Sequence, residues 1–127
     1  MKLVIGGYSQ GKLTYALQKN GLDNCIVWDS MLCGDGNQKE KTVVVNHLHN
    51  WVKERIRQGG SPEEEILVFV ERCPGCVIIC DEIGNGIVPT DGFEREYRER
   101  TGRILVKLAD RAEEVVRVLC GIGQKIK

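Results

Sequence analysis

Long apolar runs are missing from this 127-residue sequence, and no stretch approaches the roughly 18 consecutive apolar residues that a membrane-spanning helix requires. The apolar stretch Leu3-Val4-Ile5 is also far too short for the core of a signal peptide, so a cytoplasmic protein with no membrane span is expected. Net charge is missing too: 18 Lys+Arg balance 18 Asp+Glu. Residues 1–60 carry 8 basic and 5 acidic side chains and residues 61–127 carry 10 and 13, so neither half is a basic arm or an acidic block. That balance argues against a nucleic-acid binder, whose phosphate affinity comes from clustered Lys and Arg that release counterions. Histidine is scarce, with two residues. Cys73-Pro74-Gly75-Cys76 has C-x-x-C spacing, but neither a second such pair nor an H-x-x-x-H follows to complete a zinc site, and a turn entering a strand is the simpler reading.

What is present suits one globular unit over residues 1–127, with 42% hydrophobic residues and 15 Gly. Of the six cysteines, several sit in apolar runs (Cys25 before Ile26-Val27, Cys80 after Val77-Ile78-Ile79), where a free thiol packs as a small hydrophobe. Reduced thiols are expected. Lys2 to Ile5 reads as a buried strand, residues 12–20 as a helix stopped by Gly21, and Cys25 to Asp29 as a second strand. Strand, helix and strand over so short a span make a βαβ unit and hence a parallel sheet. A loop is expected over Met31 to Lys41. Val45, Leu48, Val52 and Ile56 recur at helical spacing, which predicts a helix from Thr42 to Gln58 ended by Gly59-Gly60. Ser61-Pro62-Glu63-Glu64 carries N-terminal capping chemistry, so the next helix runs to Glu71 despite the strand-like Ile66-Leu67-Val68-Phe69-Val70.

Cys76 to Cys80 reads as a buried strand ending in Asp81-Glu82, followed by a glycine-rich loop over residues 83–89. The longest helix is expected over residues 92–111, with Phe93, Tyr97, Ile104 and Leu108 on one face and Gly102 set for close packing against another backbone. Glu114 to Cys120 and residues 124–127, joined through Gly121-Ile122-Gly123, are too closely spaced for a parallel crossover and predict an antiparallel edge hairpin.

Gly6-Gly7-Tyr8-Ser9-Gln10-Gly11-Lys12 fits G-x-x-x-x-G-K and lies between the first strand and the first helix, where a phosphate-binding loop belongs. Backbone amides turned inward and the helix N-terminus would hold phosphate oxygens, with Lys12 on the outer phosphates. The next position, where a Ser or Thr hydroxyl would meet Mg²⁺, is Leu13, and Thr14 follows one place later, about 100° round the helix. Tyr8 to Thr14 with Gly6 and Gly7 are therefore the nucleotide-binding candidates, for GTP or ATP. Asp29 and the Asp81/Glu82 pair end strands beside that loop. Asp29 and Asp81 are candidate Mg²⁺ ligands, and Lys12, Asp29 and Glu82 candidate catalytic groups. His47 and His49, two residues apart on the expected helix, would point to different faces.

Asp81-Glu82-Ile83-Gly84-Asn85-Gly86-Ile87-Val88-Pro89, then Arg98-Glu99-Arg100-Thr101-Gly102-Arg103, Ala109-Asp110-Arg111-Ala112-Glu113-Glu114-Val115 and Gly121-Ile122-Gly123-Gln124-Lys125-Ile126-Lys127, resembles the adenosylcobinamide kinase / adenosylcobinamide-phosphate guanylyltransferase family of cobalamin biosynthesis. The N-terminal loop is similar to that family's nucleotide loop. The resemblance implies an α/β, RecA-like P-loop fold in three layers, a homo-oligomer, and two steps: phosphorylation of the cobinamide hydroxyl, then GMP transfer from GTP through a histidine. It also implies a longer chain, the missing stretch falling between the first helix and Asp29 and normally carrying that histidine. A non-catalytic or regulatory nucleotide-binding paralogue that has lost the guanylyltransferase step is the alternative.

Overall fold

The computed structural model describes residues 1–32, 41–84 and 91–127. Most of the two expected loops, residues 33–40 and 85–90, lies outside the described residues. Six strands form where apolar and β-branched residues run together: β1 (Lys2–Gly6), β2 (Cys25–Asp29), β3 (Thr42–Asn46), β4 (Val77–Asp81), β5 (Glu114–Leu119) and β6 (Ile122–Lys125). They make one sheet in the order β2-β3-β4-β1-β5-β6, parallel except for the antiparallel β5–β6 pair at the edge. This is the α/β architecture expected, with its edge hairpin.

Successive side chains of a strand face opposite sides, and the core divides accordingly. Val4, Val44, Val77, Ile79, Val116 and Val118 pack on one face under Ala16, Leu13 and Leu17 of α1 (Lys12–Asn20). Leu3, Val43, Val45, Ile78, Cys80 and Val115 pack on the other, beneath α2 (Leu48–Arg57), α3 (Pro62–Arg72) and α4 (Gly92–Arg111). One helix, a sheet and three helices make the three layers. Burying each of the enclosed valines, Leu3, Ile78 and Ile79 contributes about 1.5–3 kcal/mol. Among the described residues, no helix is long and apolar enough to cross a membrane.

The helix expected from Thr42 is not continuous. Thr42–Asn46 is strand β3, and α2 starts only at Leu48, after His47 takes a left-handed conformation (φ 56°). Val43, Val44 and Val45 are all buried because β3 is covered on both faces, so it shows no strand alternation and its valines fall into a helical period by coincidence. The other boundaries hold closely. Gly21 ends α1, Pro62 starts α3, and Asp91 caps α4 by accepting the Phe93 amide at 2.8 Å. Ser61 makes no side-chain cap; its carbonyl accepts the Glu64 and Glu65 amides instead. Gly102 does not pack closely: a Cβ there would meet nothing within 4 Å.

Side-chain clasps tie the three-helix layer together. Arg55 of α2 grips Glu65 of α3 through Nε (2.8 Å) and Nη2 (2.6 Å), and Arg100 of α4 grips Glu63 of α3 through Nε (2.6 Å) and Nη2 (3.0 Å). Trp28 packs against Phe69 with ring centroids 5.9 Å apart and planes tilted by 55°, which anchors the β2 edge to α3. Cys25, Cys73, Cys76, Cys80 and Cys120 are reduced thiols, as expected, and the Cys76 amide bonds the Cys73 carbonyl in a turn that enters β4.

Candidate functional site

Parallel strands all end at the same edge of a sheet, and in such folds ligands bind beyond that edge. Here the edge presents Gly6 of β1, Asp81 of β4, Asn46 of β3 and Asp29 of β2, with Gly6 level with Asp81 and Asp29 level with Asn46. The chain leaving β1 must turn tightly past β5: a Cβ on Gly6 would come within 2.6 Å of the Val118 carbonyl oxygen. The turn back into α1 uses left-handed Ser9 (φ 55°) and Gly11 (φ 86°), the second of which only glycine adopts without cost.

Lys12, the first residue of α1, is 6% exposed, and its ammonium lies 2.7 Å from Asp81 Oδ1 while donating to the Gly7 carbonyl at 2.6 Å. The loop thus folds around its own lysine, with Asp81 directly opposite. Asp81 is held in turn by His49: its amide donates to His49 Nδ1 at 3.1 Å, and His49 Nε2 lies 3.4 Å from Asp81 Oδ2. An Nδ1 that accepts leaves the ring proton on Nε2, facing the carboxylate. Burial lowers the pKa of His49 below its usual value against the opposing pull of Asp81, so the ring is a neutral donor at pH 7.

A cavity of about 290 Å³ opens here, walled by Tyr8 through Thr14 on one side and by Asn46, His47 and Asp81 on the other. Lys12, Leu13 and Thr14 all line it, whereas Glu82 and Asp29 do not. Glu82 sits at the base of the loop, its amide donating to the Gly6 carbonyl at 2.9 Å, with its carboxylate gripped by Arg117 of β5 through Nε (2.8 Å) and Nη2 (3.0 Å). Asp29 lies beyond the far wall, where its Oδ1 is 2.6 Å from His47 Nδ1. That contact leaves His47 with its other ring nitrogen unengaged by Asp29, on a residue that lines the cavity.

The two histidines do not diverge as expected. Their rings meet edge to face with centroids 5.6 Å apart, because His47 stands at the β3–α2 junction and only His49 is helical. Asn46 and the Asp29–His47 contact were missed for the same reason. Reading Thr42–Asn46 as a strand would have brought Asn46 and His47 to the edge that carries Asp29 and Asp81. Among the described residues, no group of three or more His, Cys, Asp or Glu side chains is gathered for a metal.

Comparison with known proteins bears on this site. The profile of a family described as cobinamide kinase / cobinamide phosphate guanyltransferase matches residues 29–126. The bifunctional adenosylcobalamin biosynthesis protein CobU of Salmonella typhimurium (strain LT2) is 39% identical over 84 residues, which are 65% of this chain and 46% of that protein. Its namesake from Escherichia coli (strain K12) is 37% identical over 79 residues, 61% of this chain and 44% of that protein. The chain therefore spans about half the length of the relatives it matches.

Proposed function

This chain belongs to the cobinamide kinase / cobinamide phosphate guanyltransferase family, and from that premise we propose that it binds GTP or ATP in the cavity beside Lys12 and transfers a phosphoryl or nucleotidyl group to a corrinoid. The observation that carries the proposal is the Lys12–Asp81 pair, 2.7 Å apart at the mouth of a glycine-turned loop that starts a helix. A triphosphate entering there meets backbone amides, a helix N-terminus and an ammonium group, which together favour dense negative charge. In the kinase step the corrinoid hydroxyl oxygen attacks the γ-phosphorus, its proton passes to solvent and the nucleoside diphosphate leaves; Lys12 neutralises charge on the transferred group.

Mg²⁺ suits this donor set. It is a hard cation that takes one or two carboxylates, keeps several waters and accepts phosphate oxygens for the rest. Asp81 is the carboxylate on the cavity, and Thr14 lines it with a second oxygen. Bound there, Mg²⁺ would supply charge neutralisation between phosphates. Asp29 and Glu82, held by His47 and Arg117, act as positioning groups in this reading.

The Asp29–His47 contact favours one assignment for the second step. With Nδ1 donating to Asp29, Nε2 of His47 carries a lone pair, as a nucleophile toward the α-phosphorus of GTP needs. The N–P bond forms as pyrophosphate leaves, and the GMP then passes to the corrinoid phosphate. Self-association through the β6 edge, where Ile122 and Ile126 are exposed, belongs to the same proposal.

The test incubates the full chain with cobinamide and labelled ATP or GTP. Phosphorylated or guanylylated corrinoid is expected, lost in Lys12→Ala, and an acid-labile GMP adduct is expected that disappears in His47→Ala. Absence of product with either nucleotide overturns the transferase reading. If nucleotide still raises the melting temperature without being consumed, the chain is a nucleotide-binding paralogue instead.

A further inference from the structure

The phosphate loop is held from outside its cavity. The Gln10 carbonyl accepts the Gly121 amide at 2.8 Å, and the Gln10 side-chain Oε1 accepts the Cys120 amide at 2.7 Å. Both donors belong to the two-residue turn between β5 and β6, 110 residues along the chain from Gln10. Left-handed backbone is concentrated on both sides of the contact, at Ser9 (φ 55°) and Gly11 (φ 86°) in the loop and at Cys120 (φ 51°) and Gly121 (φ 76°) in the turn. A left-handed non-glycine residue costs about 1–2 kcal/mol, so Ser9 and Cys120 persist because the surrounding contacts outweigh that cost. The fit is close: a Cβ on Gly11 would lie 3.2 Å from the Gly121 Cα.

Peptide planarity gives this contact a direction. In a trans peptide the carbonyl and the following N–H point to opposite sides. Fastening the Gln10 carbonyl to the hairpin therefore aims the Gly11 N–H away from it, and Gly11 lines the cavity. A donor fixed before its ligand arrives loses no further freedom on binding.

We propose that the β5–β6 turn is part of the phosphate-binding apparatus, and that Gln10 is its positioning residue, acting through the Gly11 amide on the phosphate chain of a nucleoside triphosphate. This rests on the nucleotide-binding reading above and extends the site to Cys120 and Gly121, which no motif in the loop contains. The side-chain bond to Cys120 fixes the turn, and the main-chain bond to Gly121 transmits that position to the loop.

The experiment titrates GTP, ATP and inorganic tripolyphosphate into the full chain by calorimetry. Gln10→Met keeps the side-chain length and loses the acceptor, and Gln10→Asn is one methylene too short to reach Cys120. Both are expected to weaken GTP and tripolyphosphate by the same factor, about tenfold, while the melting temperature without ligand falls by no more than a few degrees. In amide spectra, GTP shifts the Gly121 resonance of the parent, and that response is lost in Gln10→Met. If the parent binds, Lys12→Ala does not, and both Gln10 variants bind as the parent does, the positioning role is overturned and nucleotide binding stands. If the parent binds neither GTP nor ATP, both readings fall.

Discussion

Thr101 shows how much one atom can matter in this core. It is fully buried on α4, and among the described residues its Oγ1 has no hydrogen-bond partner, so folding takes that hydroxyl out of water without compensation from them. Thr101→Val keeps the β-branched shape and deletes that hydroxyl; it is expected to raise stability by about 1 kcal/mol, read as a higher urea midpoint at unchanged slope. Cys76 and Cys80 are the converse case of a polar group suited to its site. Burial pushes both thiols up to about 12, so they remain protonated hydrophobes, as their apolar neighbours in the sequence imply. Lys12 and Asp81 were legible for a similar local reason, since a spaced motif and an acid at the end of an apolar run need no tertiary knowledge. Gln10 was legible only as a loop member. Its partners lie 110 residues away, and no local pattern reports them.

At the scale of elements, a proline and acids at a helix start proved more informative than hydrophobic period. Pro62 with three acids in the first turn defines α3 although Ile66 to Val70 could form a strand, whereas period alone merged β3 with α2. The clasp between α3 and α4 carries a pH signature. Hydrogen bonding to Arg100 holds the Glu63 carboxyl below its usual value of 4.5. A folded-state pKa lowered in this way means that the unfolded chain binds the proton more readily, so the contribution is fully present above pH 4.5 and is lost as pH falls through the folded value. Glu63→Gln is expected to cost roughly 1 kcal/mol at pH 7. Below pH 4.5 its stability should also fall less steeply than the parent's, as followed by denaturant melts at a series of pH values.

Across the whole molecule, strand order sets where damage is felt. Ile79 lies in β4, between β3 and β1, and is fully buried, whereas Val27 lies on the β2 edge and is 38% exposed. Ile79→Ala is expected to cost about 2–5 kcal/mol and Val27→Ala less than about 1 kcal/mol, a gradient that guanidinium unfolding of the two variants would measure. The same order explains why the fold class was readable and the site only partly so. Parallel strands with helical crossovers follow from the alternation of patterns along the chain, but which strand ends become neighbours depends on a sheet order that no single segment encodes.

That order also has a consequence for how the protein is made. Strand β1 lies between β4 and β5, whose paired residues begin at Val77 and Glu114. At about 5–20 residues per second, the phosphate loop leaves the ribosome seconds before Asp81 exists to meet Lys12, and later still comes the turn that holds Gln10. Strand β1 and its loop thus wait for partners encoded far downstream, and until residues 114–121 have emerged a nucleotide has no finished site through which it could reward correct folding.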